Sequence, residues 1–534
     1  MSRSTRNFSG RILGLAVLGV SCCSPVFSAD VRASVNPANM PAIGHVDARF
    51  QAYNVEMLEV TGGKFWKPYK DLRANSAPRP DANRPGSTPA GMSANLYQYR
   101  PPIDLRNARL RKLAAALGPA YVRVSGTWAN TTYFQNAEGA APATPPRGFN
   151  GVLTREQWKG VVDFAHAVNA EIIPSFATSA GTRNADGVWT PDQARAFLYY
   201  TKSIGGKIAA TEFMNEPNFA ALAGVPKGYD AAAYARDIAV FRSFLKQTAP
   251  GILFLGPGSA VEGGPLAAPA SLGRLRSEDL LQATGPVYDI FSYHLYAAAS
   301  QRCAGGNAAF GTTAAAALSE QWLSRPDAIN SFYAGLRDRF EPGKPLWITE
   351  TAEAACGGNP WASTFLDTFR YLDSHARLAQ QGVRVIAHNT LAASDYGLLD
   401  ETTFAPRPNY WAALLWRKLM GPTVLKPQPL PAEGVHLYAH CLSDVPGGVA
   451  LLAINTSRSA PQRLTLSARS ERYTLTAPKL EDTRVDLNGT ELKLGADDAI
   501  PELTGVPAPA GEITLAPASV TFFAVRQAQN ASCR

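Results

Sequence analysis

The sequence is poor in the residues that build metal and redox sites. Seven histidines and six cysteines serve 534 positions, and no Cys-x-x-Cys pair occurs. No histidine spacing is read as metal-binding, so no metal is expected. No Gly-rich dinucleotide turn follows the first strand-like run, which counts against a doubly wound open sheet, the runner-up fold. No cofactor is expected. A basic helix, a zinc finger and an RNA-binding string are all missing, so nucleic acid is not expected as a partner. Internal repeats and low-complexity tracts are missing too. Charged residues make up 18% and hydrophobic residues 46%, the balance of a globular chain. Past the N-terminus no apolar stretch is long enough to cross a bilayer.

At the N-terminus, Arg3, Arg6 and Arg11 precede and flank the apolar run Ile12 to Val20, and Val26-Phe27-Ser28-Ala29 offers a cleavage site. Residues 1–29 therefore read as a signal peptide, and the protein as secreted or periplasmic. Lipid attachment at Cys22 is the lesser alternative, because Gly19 suits that signal poorly. Removing the three signal arginines lowers the net charge from +8 to +5, an excess that permits an acidic ligand without establishing one. Four cysteines remain, Cys303, Cys356, Cys441 and Cys533. An even number in an oxidising compartment favours two disulfides.

Strand-like segments run at Phe50–Met57, Ala120–Trp128, Glu171–Thr178, Lys207–Met214, Ile252–Gly256, Tyr288–Tyr296, Leu346–Thr349 and Val383–Leu391. Helical periods lie between them. Trp158, Val161, Val162 and Ala165 keep one buried face behind the cap Thr154, and Tyr234, Ile238, Phe241 and Leu245 mark another. Eight strands alternating with helices predict an α/β fold, a (β/α)8 barrel over residues 50–421. From residue 422 to 534 the texture turns to short alternating runs, among them Val435–Cys441, Gly448–Asn455, Glu491–Leu494 and Glu512–Val525, which predict a C-terminal β-sandwich. Residues 30–49 precede the barrel and offer that sandwich a strand. Cys303 follows the sixth strand and Cys356 the seventh, so these two are expected to pair. Cys441 and Cys533 would then pair within the sandwich.

Two strands deliver a glutamate where barrel enzymes place their chemistry. Ile208-Ala209-Ala210 leads to Asn215-Glu216-Pro217, and Leu346-Trp347-Ile348 leads to Thr349-Glu350. Two such carboxylates are the constellation for glycoside hydrolysis, about 5–5.5 Å apart in a retaining enzyme. Glu216 fits the acid/base and Glu350 the nucleophile, with Asn215 beside the former. Glu212 and Glu353 are rivals, read as a structural carboxylate and a loop residue. Tyr293, His294 and Tyr296 close the sixth strand. Tyr296 is placed to orient the nucleophile, whereas Tyr293 competes as a cap on the barrel core. His388 is read as structural. Gly357-Gly358 can cradle an anion. Lys64, Trp66 and Lys67, in the run Lys64 to Lys70, mix aromatic planes with cations and read as substrate-facing, a solvated basic loop being the alternative.

Several strings together resemble the heparanase/β-glucuronidase family, glycoside hydrolase family 79 of clan A. They are Ala120 to Thr127, Met214-Asn215-Glu216-Pro217-Asn218, Tyr293-His294-Leu295-Tyr296, Trp347 to Thr351, Asp395 to Asp400 and Pro408-Asn409-Tyr410-Trp411. The resemblance runs in register from about Phe50 to Pro422, and the tail Leu515 to Phe522 resembles the clan's last sandwich strand. It implies a retaining hydrolase with Glu216 as acid/base, Glu350 as nucleophile and Tyr296 beside it. It also implies uronate carboxylate binding by Tyr396 and the glycine loop, with Glu56 and Thr127 holding ring hydroxyls or the carboxylate. His294 is grouped with the substrate-binding residues. One departure is that members often carry Tyr-Gly-Gly-Gly after the nucleophile, where this chain has Ala355-Cys356-Gly357-Gly358-Asn359. The expectation is a monomeric endo-β-glucuronidase acting on an acidic polysaccharide, heparan sulfate first. Exo action on small glucuronides is the alternative if the Pro/Gly/Ser-rich stretch Asn75 to Met92 closes the cleft. A non-catalytic carbohydrate-binding protein is the further alternative.

Overall fold

The computed structural model describes residues 34–73, 93–267, 274–304, 307, 309–428 and 434–534. The expected signal peptide, Cys22 and the stretch Asn75 to Met92 lie outside them. Eight parallel strands form the barrel: Gln51–Asn54, Ala120–Val124, Ala170–Pro174, Ala210–Glu212, Leu253–Ala260, Ile290–Leu295, Leu346–Thr351 and Val383–His388. They follow one another in chain order around the sheet, with the eighth pairing the first. A bridge from Ile172 to Ile208 links the third strand to the approach of the fourth. The barrel interior is a packed cluster with a side chain from every strand, from Ala52, Tyr121 and Ile173 round to Trp347 and Val385. Strands buried on both faces read as continuous apolar runs, which is why the sequence marks them so plainly.

The helices form where the periodicity places them. Arg155–Ala167 opens with a capping box, in which Thr154 Oγ1 accepts from the Gln157 N–H and the Gln157 side chain accepts from the Thr154 N–H. Its expected face, Trp158, Val161, Val162 and Ala165, is buried. Ala231–Thr248 starts at an Asp230 cap and buries Tyr234, Ile238, Phe241 and Leu245.

Beyond the barrel, helix Pro408–Leu419 runs straight into strand Met420–Leu425, which spans the expected boundary at residue 422. That strand pairs with Val435–Leu442 on one side and, from the N-terminal segment, Ala42–His45 on the other. Ser34–Val35 pairs in parallel with Gln462–Leu466 in a second, three-stranded sheet. The expected single strand Glu512–Val525 is two. Gly511–Leu515 joins the smaller sheet, and Ser519–Val525 lies between Val449–Asn455 and Ser470–Thr476 in the larger. The break falls at Pro517-Ala518, where Pro has no ladder donor and Ala518 has φ 43°. Glu491–Leu494 shrinks to Thr490–Glu491. Sandwich and barrel are clamped at Asp373, which is fully buried and bonded by His436 Nδ1 at 2.5 Å, the Tyr438 hydroxyl at 2.6 Å and Arg377 Nε at 2.7 Å.

Cys303 bridges to Cys356 with Cα atoms 6.4 Å apart, and Cys441 to Cys533 with Cα atoms 5.3 Å apart. Among the described residues, no helix is long and apolar enough to cross a membrane.

Candidate active site

The fourth strand ends at Glu212, and the chain turns sharply before presenting Glu216 four residues later. Glu216 itself sits in the left-handed region, φ 49° and ψ 63°, immediately before Pro217. Glu350, by contrast, lies inside the seventh strand, which runs two residues past its expected end. One carboxylate oxygen of each and a ring nitrogen of His294 lie within 4.8 Å of one another.

Behind the pair stands a group the sequence reading did not assign, Arg123 on the second strand. It is 1% exposed. Its Nη1 donates to Glu350 Oε2 at 3.0 Å and its Nε and Nη2 to Glu212 Oε2 at 3.0 and 2.8 Å. Nη2 also reaches Asn215 Oδ1 at 2.8 Å and His294 Nε2 at 3.1 Å. A guanidinium can only donate, so His294 Nε2 accepts and Nδ1 carries the proton. That N–H points at Glu216 Oε1, 3.0 Å away. The signal for Arg123 was a lone charge inside the apolar run Ala120 to Val124, since a charge buried in a barrel strand must be paired.

The two glutamates meet unlike surroundings. Burial acts to raise the Glu350 carboxyl, but the Arg123 guanidinium and the Tyr296 hydroxyl hold it below the usual carboxylate range. Tyr296 donates to Glu350 Oε1 at 2.7 Å and accepts from Asn389 Nδ2 at 3.2 Å. Glu216 takes its polar contact from His294 and is the more open of the two, with side-chain exposures of 17% against 10%.

The cleft in front of the pair measures about 200 Å³ and is lined by residues that include Glu56, Trp66, Tyr97, Thr127, Phe219, Tyr296, Asn389 and Tyr396. Glu56 Oε2 is buried with no partner among the described residues. Burial, then the nearby Glu350 charge, push the Glu56 carboxyl well above its ordinary range. Its carboxylate rests on the backbone at Gly126, where a Cβ would come within 1.5 Å of Oε2. Only glycine fits that approach. Burial, with the Glu56 and Glu350 charges, raises the Tyr396 hydroxyl, and its oxygen accepts from Asn389 Nδ2 at 3.1 Å. Three non-glycine residues that line the cleft have positive φ: Glu216, Val261 at 53° and Cys356 at 64°. Such conformations cost about 1–3 kcal/mol each and concentrate at functional sites.

Several expected site residues sit elsewhere. His294 is wholly buried behind the carboxylates, with Nδ1 3.0 Å from Glu216 Oε1, and lies outside the cleft lining. Asn215 is buried on Arg123 and Asn130 and lies outside the cleft lining. Gly357 and Gly358 are covered, Gly357 by Trp66 and Ser394, Gly358 by Tyr396 and Ala362. Ala355 and Cys356 are the parts of that loop that face the cleft. Trp66 lines the cleft, but Lys64 and Lys67 do not. Glu353 is a loop residue, yet it is buried on the Asn359 N–H and Nδ2, both at 2.9 Å, and burial raises its carboxyl to about 7. Glu212 is held by Arg123. Tyr293 stacks on Tyr333 in the core, and His388 Nε2 meets the Tyr396 carbonyl at 2.8 Å.

Arg302 ties three of the loops together. Its guanidinium lies 4.0 Å over the Tyr69 ring, donates to Asp395 Oδ2 at 2.7 Å and to the Lys67 carbonyl, and its neighbour Cys303 carries the bridge to Cys356.

Residues 101–376, just over half of the chain, match the N-terminal domain of glycosyl hydrolase family 79. Heparanase-like protein 1 of Arabidopsis thaliana is 27% identical over 68% of this chain and 67% of its own length. Heparanase of Mus musculus is 27% identical over 80% of this chain and 88% of its own. Among solved structures, a 4-O-α-L-rhamnosyl-β-D-glucuronidase from Fusarium oxysporum overlays 92% of this chain and 99% of its own with a TM-score of 0.59 and 14% identity. That overlay shows the shared fold.

Proposed function

The chain belongs to glycosyl hydrolase family 79, and on that premise we propose that it hydrolyses β-linked glucuronic acid with retention of configuration. Glu350 attacks the anomeric carbon while Glu216 gives its proton to the departing oxygen. Glu216 then takes a proton from the water that releases the sugar from Glu350. The observation that carries the reading is the pairing itself. One oxygen of each carboxylate lies within 4.8 Å of the other, close enough to favour the direct attack of a covalent mechanism, in which the two groups stand about 5–5.5 Å apart.

The choice of sugar is supported by a neutral donor in the cleft. The Asn389 bond to the Tyr396 oxygen leaves that hydroxyl's hydrogen for a ligand. It can bond a uronate carboxylate without a cation. Export to an oxidising compartment is supported by the two disulfides.

A polymer substrate of the heparan sulfate kind is supported by the relatives named heparanase. A second reading, release of terminal or small glucuronides, is favoured by one observation: no lysine or arginine lines the cleft among the described residues. Hydrolysis of an aryl β-glucuronide measured beside the matching β-glucoside and β-xyloside tests the sugar. Preference for either neutral glycoside would overturn the glucuronide assignment.

A further inference from the structure

The cleft lining combines the polar groups Glu56, Tyr296, Asn389 and Tyr396 with an aromatic set, Phe65, Trp66, Tyr97 and Trp128. The stretch that follows Glu216 adds further apolar side chains. Phe219 and Leu222 lie in the 3-10 segment Pro217–Ala223, directly after Glu216. Ala260 and Val261 stand beside them at the end of the fifth strand, which runs four residues further than the sequence suggested. Asn218 locks the two pieces together, its Nδ2 donating to the Ala260 carbonyl at 2.7 Å and its Oδ1 accepting from the Ala260 N–H at 3.2 Å.

This placement has a chemical meaning. Glu216 must reach the glycosidic oxygen, so whatever that oxygen carries lies on Glu216's side of the cleft. We propose that Phe219, Leu222 and Val261 form the leaving-group subsite and that it takes an apolar aglycone, alkyl or aryl, in preference to an anionic sugar. The inference rests on the glucuronidase reading of the same site and names what is released with the sugar.

Two further observations support it. Val261 is β-branched yet held at φ 53°, a conformation such residues avoid unless their surroundings impose it. The turn delivers its side chain to the cleft instead of letting the strand run on. Arg274, which feels the Glu216 charge, sets its guanidinium over the Phe219 ring, 4.5 Å from the centroid. It lies outside the cleft lining and backs the aromatic wall.

The test is a homologous series of methyl, propyl and hexyl β-D-glucuronides, whose leaving alcohols differ little in acidity, so that kcat/KM reports contact and not leaving ability. The expected result is a rise of about three- to fourfold for each methylene fully covered, with Leu222→Lys and Phe219→Ser each flattening the slope. A kcat/KM independent of chain length would overturn the proposal. So would a sulfated glucuronyl disaccharide outcompeting the hexyl glucuronide with that advantage lost in Arg274→Ala, which would assign the subsite to an anionic sugar. If the enzyme prefers another glycone, the glucuronide reading fails by itself. The same alkyl series on the preferred glycone then supports or overturns the subsite.

Discussion

The Tyr296 hydroxyl holds Glu350 Oε1 at 2.7 Å while Arg123 holds Oε2 of the same carboxylate at 3.0 Å. Each oxygen of the proposed nucleophile is therefore pinned by a donor, one neutral and one charged. A carboxylate so held keeps its charge and its aim, which is what attack on an anomeric carbon requires.

Arg123 serves two buried carboxylates at once, Glu212 and Glu350. Arg123→Met should destabilise the fold by about 3–5 kcal/mol, because it strands uncompensated charge in the core. Denaturant unfolding checks this. Adding Glu212→Leu should recover part of the stability and none of the activity. Full recovery of activity in the double variant would show that Arg123 acts on the fold alone.

The role of Glu216 predicts a dependence on the leaving group. Glu216→Gln should lose about a hundred- to ten-thousandfold on alkyl glucuronides and much less on 4-nitrophenyl glucuronide, whose phenolate needs little protonation. Equal losses on the two substrates would remove Glu216 from the acid role.

These residues also show what the sequence made legible. Glu216 and Glu350 stood out because apolar runs fix where a barrel strand lies, although the fourth strand stops at Glu212, short of Glu216, and the seventh runs past Glu350. Arg123 was equally visible as a letter, but its partners are 89 and 227 residues away, and only the closed ring brings them together. Of Lys64, Trp66 and Lys67, only Trp66 lines the cleft. Their composition suggested a charged platform, yet the pairing of Gly63–Trp66 with Tyr97–Arg100 turns Trp66 to the cleft and stacks it on Tyr97 at 4.6 Å. Composition alone does not say which way a side chain faces. The same holds for His294, whose place late in its strand does not reveal whether the residue stands in front of the carboxylates or behind them.

Glu59 predicts how stability follows pH. It accepts the Glu56 N–H at 2.8 Å, and burial raises its carboxyl to about 7. A raised folded pKa means that the folded chain holds the proton that the unfolded chain releases near pH 4.3. The stability contribution is full below that value and is lost as pH rises through about 7, on the order of 3–4 kcal/mol. Thermal unfolding of Glu59→Gln between pH 4.5 and 7.5 should show a flatter decline than the parent chain. A steeper one would contradict the assignment.

The Cys303–Cys356 bridge closes a 53-residue separation and anchors the loop whose Ala355 and Cys356 face the cleft. Replacing both cysteines with alanine should cost about 2–4 kcal/mol. It should also raise KM more than it lowers kcat, because Glu350 and Arg123 lie on strands, and Tyr296 directly follows one, so none of them depends on that loop. A change in kcat alone would place the loop in the chemical step.

The central claim is a two-step displacement through Glu350, and the anomeric configuration of the first product tests it most directly. Proton NMR of an aryl β-glucuronide digest, followed from the earliest turnovers, should show β-glucuronic acid appearing first and the α-anomer growing in later by mutarotation. Initial release of the α-anomer would mean a single displacement by water and would contradict the account.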